Sequence, residues 1–493
     1  MRITRILAVL YAALFALLGL AFWATPERAA QRFDLDALGA GGFATLRGDL
    51  GGLFVALSVI VLVGVFTRRA PVLLAAAGVL AAIVVGRLVN LAFHGGAGAP
   101  VNLLVEIGGV AILTLEARAL LASTAGRASL RKGLITAGGL ILALGAVFAI
   151  LMAPPVQAAL FKRMARQQML VSHADLLKDD ALRVAICGTS APLPSHDRAK
   201  ACVAVIAGGK FYLVDVGPES VENLMQWKIP LGQVGGVLLT HFHSDHIGDL
   251  GELNLQTWAA GRPAPLAVYG GPGVDQVVAG FNQAYAVDQG YRTAHHGPAM
   301  MPAATWPMQA RQVDLVGPAT PAMSRTAPVL DDGQLKITAI EVDHGPVHPA
   351  YAYRFDYKGR SVVVTGDTAN HPPLAVASKG ADVLVSEAIA RPMIRTLETT
   401  ARDVGNDRVA HIMHDIQGYH ISPQETAALA NQAGVKLLVL YHLLPAPDNA
   451  LTKHLFVQGL SQARHGDWVM ADDGSLYTLP LGSSEVRIGR VGQ

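Results

Sequence analysis

The sequence predicts a chain of two unlike parts, an α-helical transmembrane domain followed by an α/β layered domain. Three observations predict it. Of 493 residues, 52% are hydrophobic and only 15% charged, an apolar excess over the average soluble domain that also excludes intrinsic disorder. The excess is uneven: residues 1–160 hold 12 Lys/Arg and 6 Asp/Glu, against 27 and 31 in residues 161–493. The second part also holds 16 of the 17 histidines and has a net charge of −4.

A hydrocarbon core of about 30 Å requires about 20 mostly apolar helical residues, because every backbone polar group must be satisfied within the segment. Five stretches meet or approach this: about 6–23, 50–66, 71–93, 101–121 and 133–153. The first follows Arg2 and Arg5, as a signal peptide would, but its apolar core is long and further spans follow, so it reads as a retained helix. With a cytoplasmic N-terminus the inner loops carry eight Lys/Arg against six in the outer ones. Five spans then place everything after residue 155 outside the cytoplasm, in the periplasm of an inner-membrane protein.

Arg87, Asn90, Asn102 and Glu106 fall within the third and fourth spans, where ionisable groups are expensive. An Arg87–Glu106 pair that fixes helix packing is preferred to a ligand site. The segments "RGDLGGLFVAL", "GRLVNLAFHG" and "LLVEIGG" resemble a family of small four-helix bacterial membrane proteins of unknown function, which implies an architecture and no activity. The expected domains are 1–122 (four transmembrane helices), 123–180 (a fifth span and a basic, partly amphipathic connector) and 181–493.

From residue 182 the chain turns to short β-rich runs closed by polar or glycine-containing turns, with helix-period stretches at 248–260, 273–286, 372–380 and 423–433. Strands alternating with helices, plus several hairpins, imply an α/β layered fold. The strongest local signal is "GGVLLTHFHSDHIGDL". A β-run ends at Thr240, a loop supplies His241, His243, Asp245 and His246, and a helix begins near Ile247. Imidazole and carboxylate at this density suit zinc-type ions, and the two-residue step from His241 to His243 lets both reach one metal. Three further runs, "AIEVDH", "VVVTGD" and "LLVLYH", end on His344, Asp367 and His442. Four strands would thus deliver ligand-type side chains to one edge, where α/β folds place their sites.

"THFHSDHIGDL" resembles the His-x-His-x-Asp-His signature of the metallo-β-lactamase fold. The resemblance covers about residues 183–480 and implies the αβ/βα four-layer sandwich. Carried over by position, it implies two Zn2+ per chain: His241, His243 and His344 on one, Asp245, His246 and His442 on the other, and Asp367 bridging. "CGTSAPLPSHDR", "YLVDVGPES", "SEA" and "YHISPQETAALANQAGVKLLVLYH" are similar to motifs of the ribonuclease Z and arylsulfatase-like branch. The implied chemistry is attack of a metal-bridging hydroxide on an anionic phosphodiester or sulfate ester, with Asp245 and His420 as catalytic residues.

His420 is the candidate proton donor. Ser422 and Glu425 form a capping-box spacing with Pro423 at the first helical position, so a helix should start just after His420. His348, four residues after His344, is a candidate substrate contact. His295 and His296 lie in a Pro/Met-rich insertion that is a candidate lid, whereas His411 and His414 read as structural. Cys187 and Cys202, 15 residues apart, read as buried thiols in preference to a disulfide.

Three alternatives compete with a membrane-anchored ester hydrolase. Ribonuclease Z-like tRNA 3' processing would need a basic footprint; the second part is acidic, and residues 295–330 offer only Arg311 and Arg325 as arginines. A DNA-uptake or transport-associated role would need more spans than five. A non-catalytic module would show broken ligand positions, and none is broken. The expected partners are therefore a small anionic ester and the lipid bilayer, with nucleic acid disfavoured and a homodimer left open.

Overall fold

The computed structural model describes residues 3–26, 29, 42, 44–94, 100–122, 153–170, 172–178, 180–320 and 322–492. The chain divides into two compact units, Met1–Arg163 and Met164–Gln493.

The first unit contains α1 (Ile3–Ala24), a π turn (Leu46–Gly51) running into α2 (Gly52–Phe66), α3 (Ala70–His94) and α4 (Pro100–Leu121). Among the described residues, three segments, Ile3–Ala24, Leu46–Phe66 and Ala70–Arg87, are long and apolar enough to cross a membrane. The fourth helix is 22 residues long but carries Glu106, Glu116 and Arg118. Their shared core takes Ala8 and Phe15 from α1, Leu57 and Val61 from α2, Leu73 and Ala77 from α3, and Leu113 and Ala117 from α4. Small residues set the helix spacing: a Cβ on Gly19 would lie 2.6 Å from Val55 Cγ2. The expected intramembrane pair forms, with Arg87 Nε donating to both carboxylate oxygens of Glu106 at 2.8 Å. Glu116 accepts a hydrogen bond from Thr4. The Asn90 and Asn102 side chains, and the expected span 133–153 apart from Ala153, lie outside the described residues.

Helix α5 (Pro154–Leu170), which runs in sequence across the division at Arg163, occupies most of the expected connector. It leads to fifteen strands: β1 (Ala181–Gly188), β2 (Cys202–Ala207), β3 (Lys210–Val214), β4 (Val234–Leu238), β5 (Leu266–Gly270), β6 (Met308–Gln312), β7 (Thr326–Asp331), β8 (Leu335–His344), β9 (Val347–Tyr357), β10 (Arg360–Val364), β11 (Val383–Ile389), β12 (Leu437–Leu444), β13 (Asp467–Met470), β14 (Ser475–Pro480) and β15 (Arg487–Arg490). One sheet has the order β15-β14-β1-β2-β3-β4-β5-β6, the other β13-β12-β11-β10-β9-β8-β7. The run β3 to β6 is parallel, as is β10 to β13.

Successive side chains of a strand point to opposite faces, and here both faces are covered. Val184 and Ile186 of β1 enter the core between the sheets, while Ala185 and Cys187 enter the outer core. Val362 and Val364 of β10 face inward and Val363 outward. That is why these strands read as unbroken apolar runs. The outer core of the first sheet is closed by α6 (Leu250–Ala259) and α7 (Val274–His296) through Leu250, Leu253, Val274 and Val278. Beyond β11 follow α8 (Arg391–Asp403), α9 (Asp407–Asp415) and α10 (Pro423–Ala433). Ala427 and Ala430 of α10 cover the second sheet. The result is the expected helix, sheet, sheet, helix sandwich.

Two expectations are corrected. Cys187 and Cys202 are disulfide-bonded, not free thiols. The antiparallel pairing of β1 with β2 brings them side by side, and Gly188 lets the strands close, since a Cβ there would lie 1.6 Å from Lys200 O. The insertion after His295 and His296 is not a free lid: Met301 and Trp306 are buried against Leu255 and Trp258. Both histidines are exposed at the end of α7.

Candidate metal centre

The centre forms where β4, β8, β10 and β12 reach one rim. Past β4, Thr240 donates to Asp215 through both N and Oγ1 at 2.8 Å, pinning the loop that carries His241 and His243. Ser244–Ile247 is a single helical turn that turns Asp245 and His246 into the interior. On the other sheet, His344 closes β8 and Asp367 follows β10. Gly366 at φ 59 makes that last turn, and a Cβ there would lie 2.7 Å from Thr240 Cβ. His442 takes φ 42, a left-handed backbone that a β-strand histidine seldom adopts, so the fold holds it under strain.

Three ligand-type groups result: His241, His243, His344 and Asp367; Asp367, Glu387, His420 and His442; and Asp245, His246 and His442. Within each, the donor atoms lie within 4.8 Å of one another. Asp367 links them. Its Oδ2 stands 3.4 Å from His246 Nε2, 3.8 Å from His344 Nε2 and 4.0 Å from His241 Nε2, and its Oδ1 is 3.3 Å from His442 Nδ1.

Three of the rings also have a partner behind them. His246 Nδ1 meets Asp215 at 2.8 Å, His344 Nδ1 meets Tyr419 O at 3.0 Å and His241 Nδ1 meets Thr240 Oγ1 at 3.0 Å. Such contacts orient a ring and turn its other nitrogen toward the centre; His241 Nε2 there meets His243 Nδ1 at 2.8 Å. Accordingly His246 Nε2, His344 Nε2, His442 Nδ1 and Asp367 Oδ1 are buried without a hydrogen-bond partner. Leaving a buried polar atom unpaired costs about 1–3 kcal/mol, and four in one place fit a metal-binding donor set.

The electrostatics agree. Burial holds His241 well below the ordinary imidazole range and brings His344 down to about 4, the neutral form that ligates. Burial pushes Asp367 up, but His442 and His246 outweigh it and keep the carboxylate ionised. Burial opposes charge on His246 as well, yet Asp367, Asp215 and Asp245 raise it well above its usual value. A pocket that draws a proton onto a buried histidine is short of positive charge, which a cation can supply.

A cleft of about 290 Å³ opens on the centre, lined by His243, Asp245, Asp367 and His420 on the polar side. His420 is buried, with Nδ1 3.0 Å from both oxygens of Glu387. The capping box expected at Ser422 and Glu425 is formed, and Arg391 donates to His420 O and to Glu425. The structure thus brings together eight of the expected residues, His241, His243, Asp245, His246, His344, Asp367, His420 and His442. It does not bring His348: β9 starts at Val347, His348 is exposed, and the cleft lining does not include it. His411 is exposed and pairs with Asp415, and His414 contacts Glu398. Glu387 and Asp215 were not singled out from the sequence. Their signal was present, in "SEA" and "YLVDVGPES", but a lone acid inside or after an apolar run announces no partner.

Comparison with known proteins places this geometry. The metallo-beta-lactamase superfamily profile matches residues 197–394. A ribonuclease Z of Mycolicibacterium paratuberculosis is 34% identical over 269 residues, 54% of this chain and 87% of the relative. The chain belongs to the metallo-β-lactamase superfamily. It is a metal-dependent hydrolase acting on ester bonds. A second superfamily member, ribonuclease Z of Mycobacterium tuberculosis, is 34% identical over 268 residues, 54% of this chain and 86% of the relative. Among solved structures, the short form of human tRNase Z matches with TM-score 0.43 and 20% identity, over 61% of this chain and all of that one. The metallo-beta-lactamase fold protein YhfI of Bacillus subtilis matches with TM-score 0.42 and 21% identity, at the same coverage.

Proposed function

We propose that the chain is a membrane-anchored dinuclear zinc hydrolase of an anionic ester, with a phosphodiester preferred to a sulfate ester. The observation that carries the proposal is the convergence of four buried donor atoms that make no hydrogen bond, on His246, His344, His442 and Asp367. In this reading His241, His243 and His344 hold one ion, Asp245, His246 and His442 the other, and Asp367 both. When bound, the ions supply Lewis acidity and lower the pKa of water from about 15.7 towards about 7.

The chain's own residues position and protonate. Asp215, Thr240 and the Tyr419 carbonyl hold three imidazoles in the ligating orientation. Water attacks the ester and loses a proton to solvent, the bond to the leaving oxygen breaks, and His420 gives that oxygen a proton that solvent then restores to it. Glu387 fixes His420 through Nδ1, which leaves Nε2 for the substrate. Burial pushes His420 down and Glu387 up, so the pair retains a proton to pass on. The preference for phosphorus rests on the relatives being ribonucleases, which cut phosphodiesters.

Three apolar helices support the anchor. The Cys187–Cys202 disulfide supports an oxidising compartment for the hydrolase domain, in line with five spans and a periplasmic C-terminal part. A second reading, RNA processing, is favoured by the 34% identity to ribonuclease Z.

The test is metal analysis of the purified full chain with a chromogenic panel and a tRNA precursor. About two zinc ions per chain and diesterase activity abolished in Asp245→Ala are expected. A metal-free, inactive chain overturns the proposal. Faster cleavage of the tRNA precursor, with a C-terminal reporter active only in the cytoplasm, replaces it with the second reading.

A further inference from the structure

The polar side of the cleft accounts for only part of its wall. Facing His243, Asp245, Asp367 and His420 are Leu193, Ile412, Met413, Ile416, Tyr419 and Leu444. No Lys or Arg lines it among the described residues. A site built for a polyanion would place cations along the path of the further phosphates, whereas this one offers a small polar end and a long apolar side.

The apolar side is built, not incidental. Leu193 belongs to the loop tied at both ends by the Cys187–Cys202 disulfide. Lys200 Nζ donates to its carbonyl at 2.7 Å. Leu444 lies on β12 two residues from His442, and Ala390 N donates to its carbonyl at 2.8 Å. Met413 and Ile416 are packed with Ala191, Ile389 and Ile394. Ile412, by contrast, is 47% exposed. Helix α9, which supplies Ile412 and Met413 to this wall, also exposes Val409, and α8 before it exposes Leu397. A singly exposed isoleucine is ordinary, but one that continues an apolar cleft wall of Leu193, Met413, Ile416 and Leu444 belongs to the kind of grouped apolar surface that marks a ligand groove.

We infer that the substrate is an amphiphilic ester, with its anionic group at the polar end of the cleft and an alkyl or acyl chain against Leu193, Ile412, Ile416 and Leu444. The inference rests on the proposed hydrolase function and names the class of molecule it acts on. A membrane-anchored enzyme would meet such a substrate at the bilayer surface. Each methylene moved from water to this wall contributes about 0.8 kcal/mol, or about fourfold in kcat/KM, until the wall is covered.

The experiment uses the zinc-loaded full chain and the 4-nitrophenyl esters of methyl, butyl and hexyl phosphate, all kept below micelle-forming concentrations. The expected result is a rise in kcat/KM of at least about tenfold from methyl to butyl. Ile412→Asp should collapse the butyl-to-methyl ratio to below about threefold, and Ile412→Leu should restore it. Turnover of all three esters at one rate overturns the inference and leaves the hydrolase proposal standing. No turnover of any ester by zinc-loaded protein overturns the hydrolase proposal and this inference with it. Faster cleavage of a tRNA precursor than of every alkyl ester overturns the inference in favour of RNA.

Discussion

The two units of the chain treat buried polar groups in opposite ways. In the helical unit Glu106 meets Arg87 and Glu116 meets Thr4; each of these charged groups is answered by the chain itself. In the hydrolase unit, the His246 and His344 imidazoles are oriented from behind and left open in front, and Asp367 Oδ1 is buried without a hydrogen bond. Pairing that is complete within the chain serves packing, and pairing left incomplete in a built pocket serves a ligand. Substitutions on the two sides should therefore fail differently.

The largest effect is expected at Asp367, which touches every ligand group. Asp367→Ala should lower turnover at least about a thousandfold and reduce bound zinc by half or more; full metal content by elemental analysis would contradict it. His420→Ala should cost about 10²–10⁴-fold in kcat with both ions retained. Glu387→Gln should cost about 10–100-fold and move the acid limb of the pH profile. Chelation should lower the melting transition of the hydrolase unit by the binding linkage, about 2.7 kcal/mol at a hundredfold excess over Kd. The helical signal of the first unit should not follow it.

Smaller effects lie on the self-paired side. Arg87→Met should cost about 1–2 kcal/mol of stability in detergent, and adding Glu106→Met should recover most of it. Within the hydrolase unit Asp382 is also self-paired, accepting from Arg360, Ser361 and Lys436. Burial opposes its charge, but Arg360 and Lys436 hold its carboxyl below the usual range. Its contribution is thus present above about pH 4 and lost as pH falls through its folded value. Urea titrations between neutral and acid pH should show that loss, and Asp382→Asn should flatten it.

Much of the centre was legible before any coordinates. His241, His243, Asp245 and His246 are crowded into six residues, and His344, Asp367 and His442 each end an apolar run. What stayed hidden depends on pairing at a distance. Glu387 sits inside β11, and only the arrival of His420 across 33 residues gives it a role. The disulfide follows from β1–β2 register, which spacing does not reveal. His348, four residues after His344, stands exposed on β9 and is not among the residues lining the cleft, because proximity in sequence does not decide which way a strand residue faces after a tight turn. The lid expectation failed because two apolar residues, Met301 and Trp306, found Trp258.

The donor groups are also divided between the two sheets, His241, His243, Asp245 and His246 leaving β4 of one, and His344, Asp367 and His442 borne by the other. Neither half holds a complete set. A chain whose sheets have failed to dock therefore carries two inert fragments of a centre in place of a reactive one. Competence for chemistry becomes a certificate of correct assembly, and a misfolded copy is silent instead of indiscriminate.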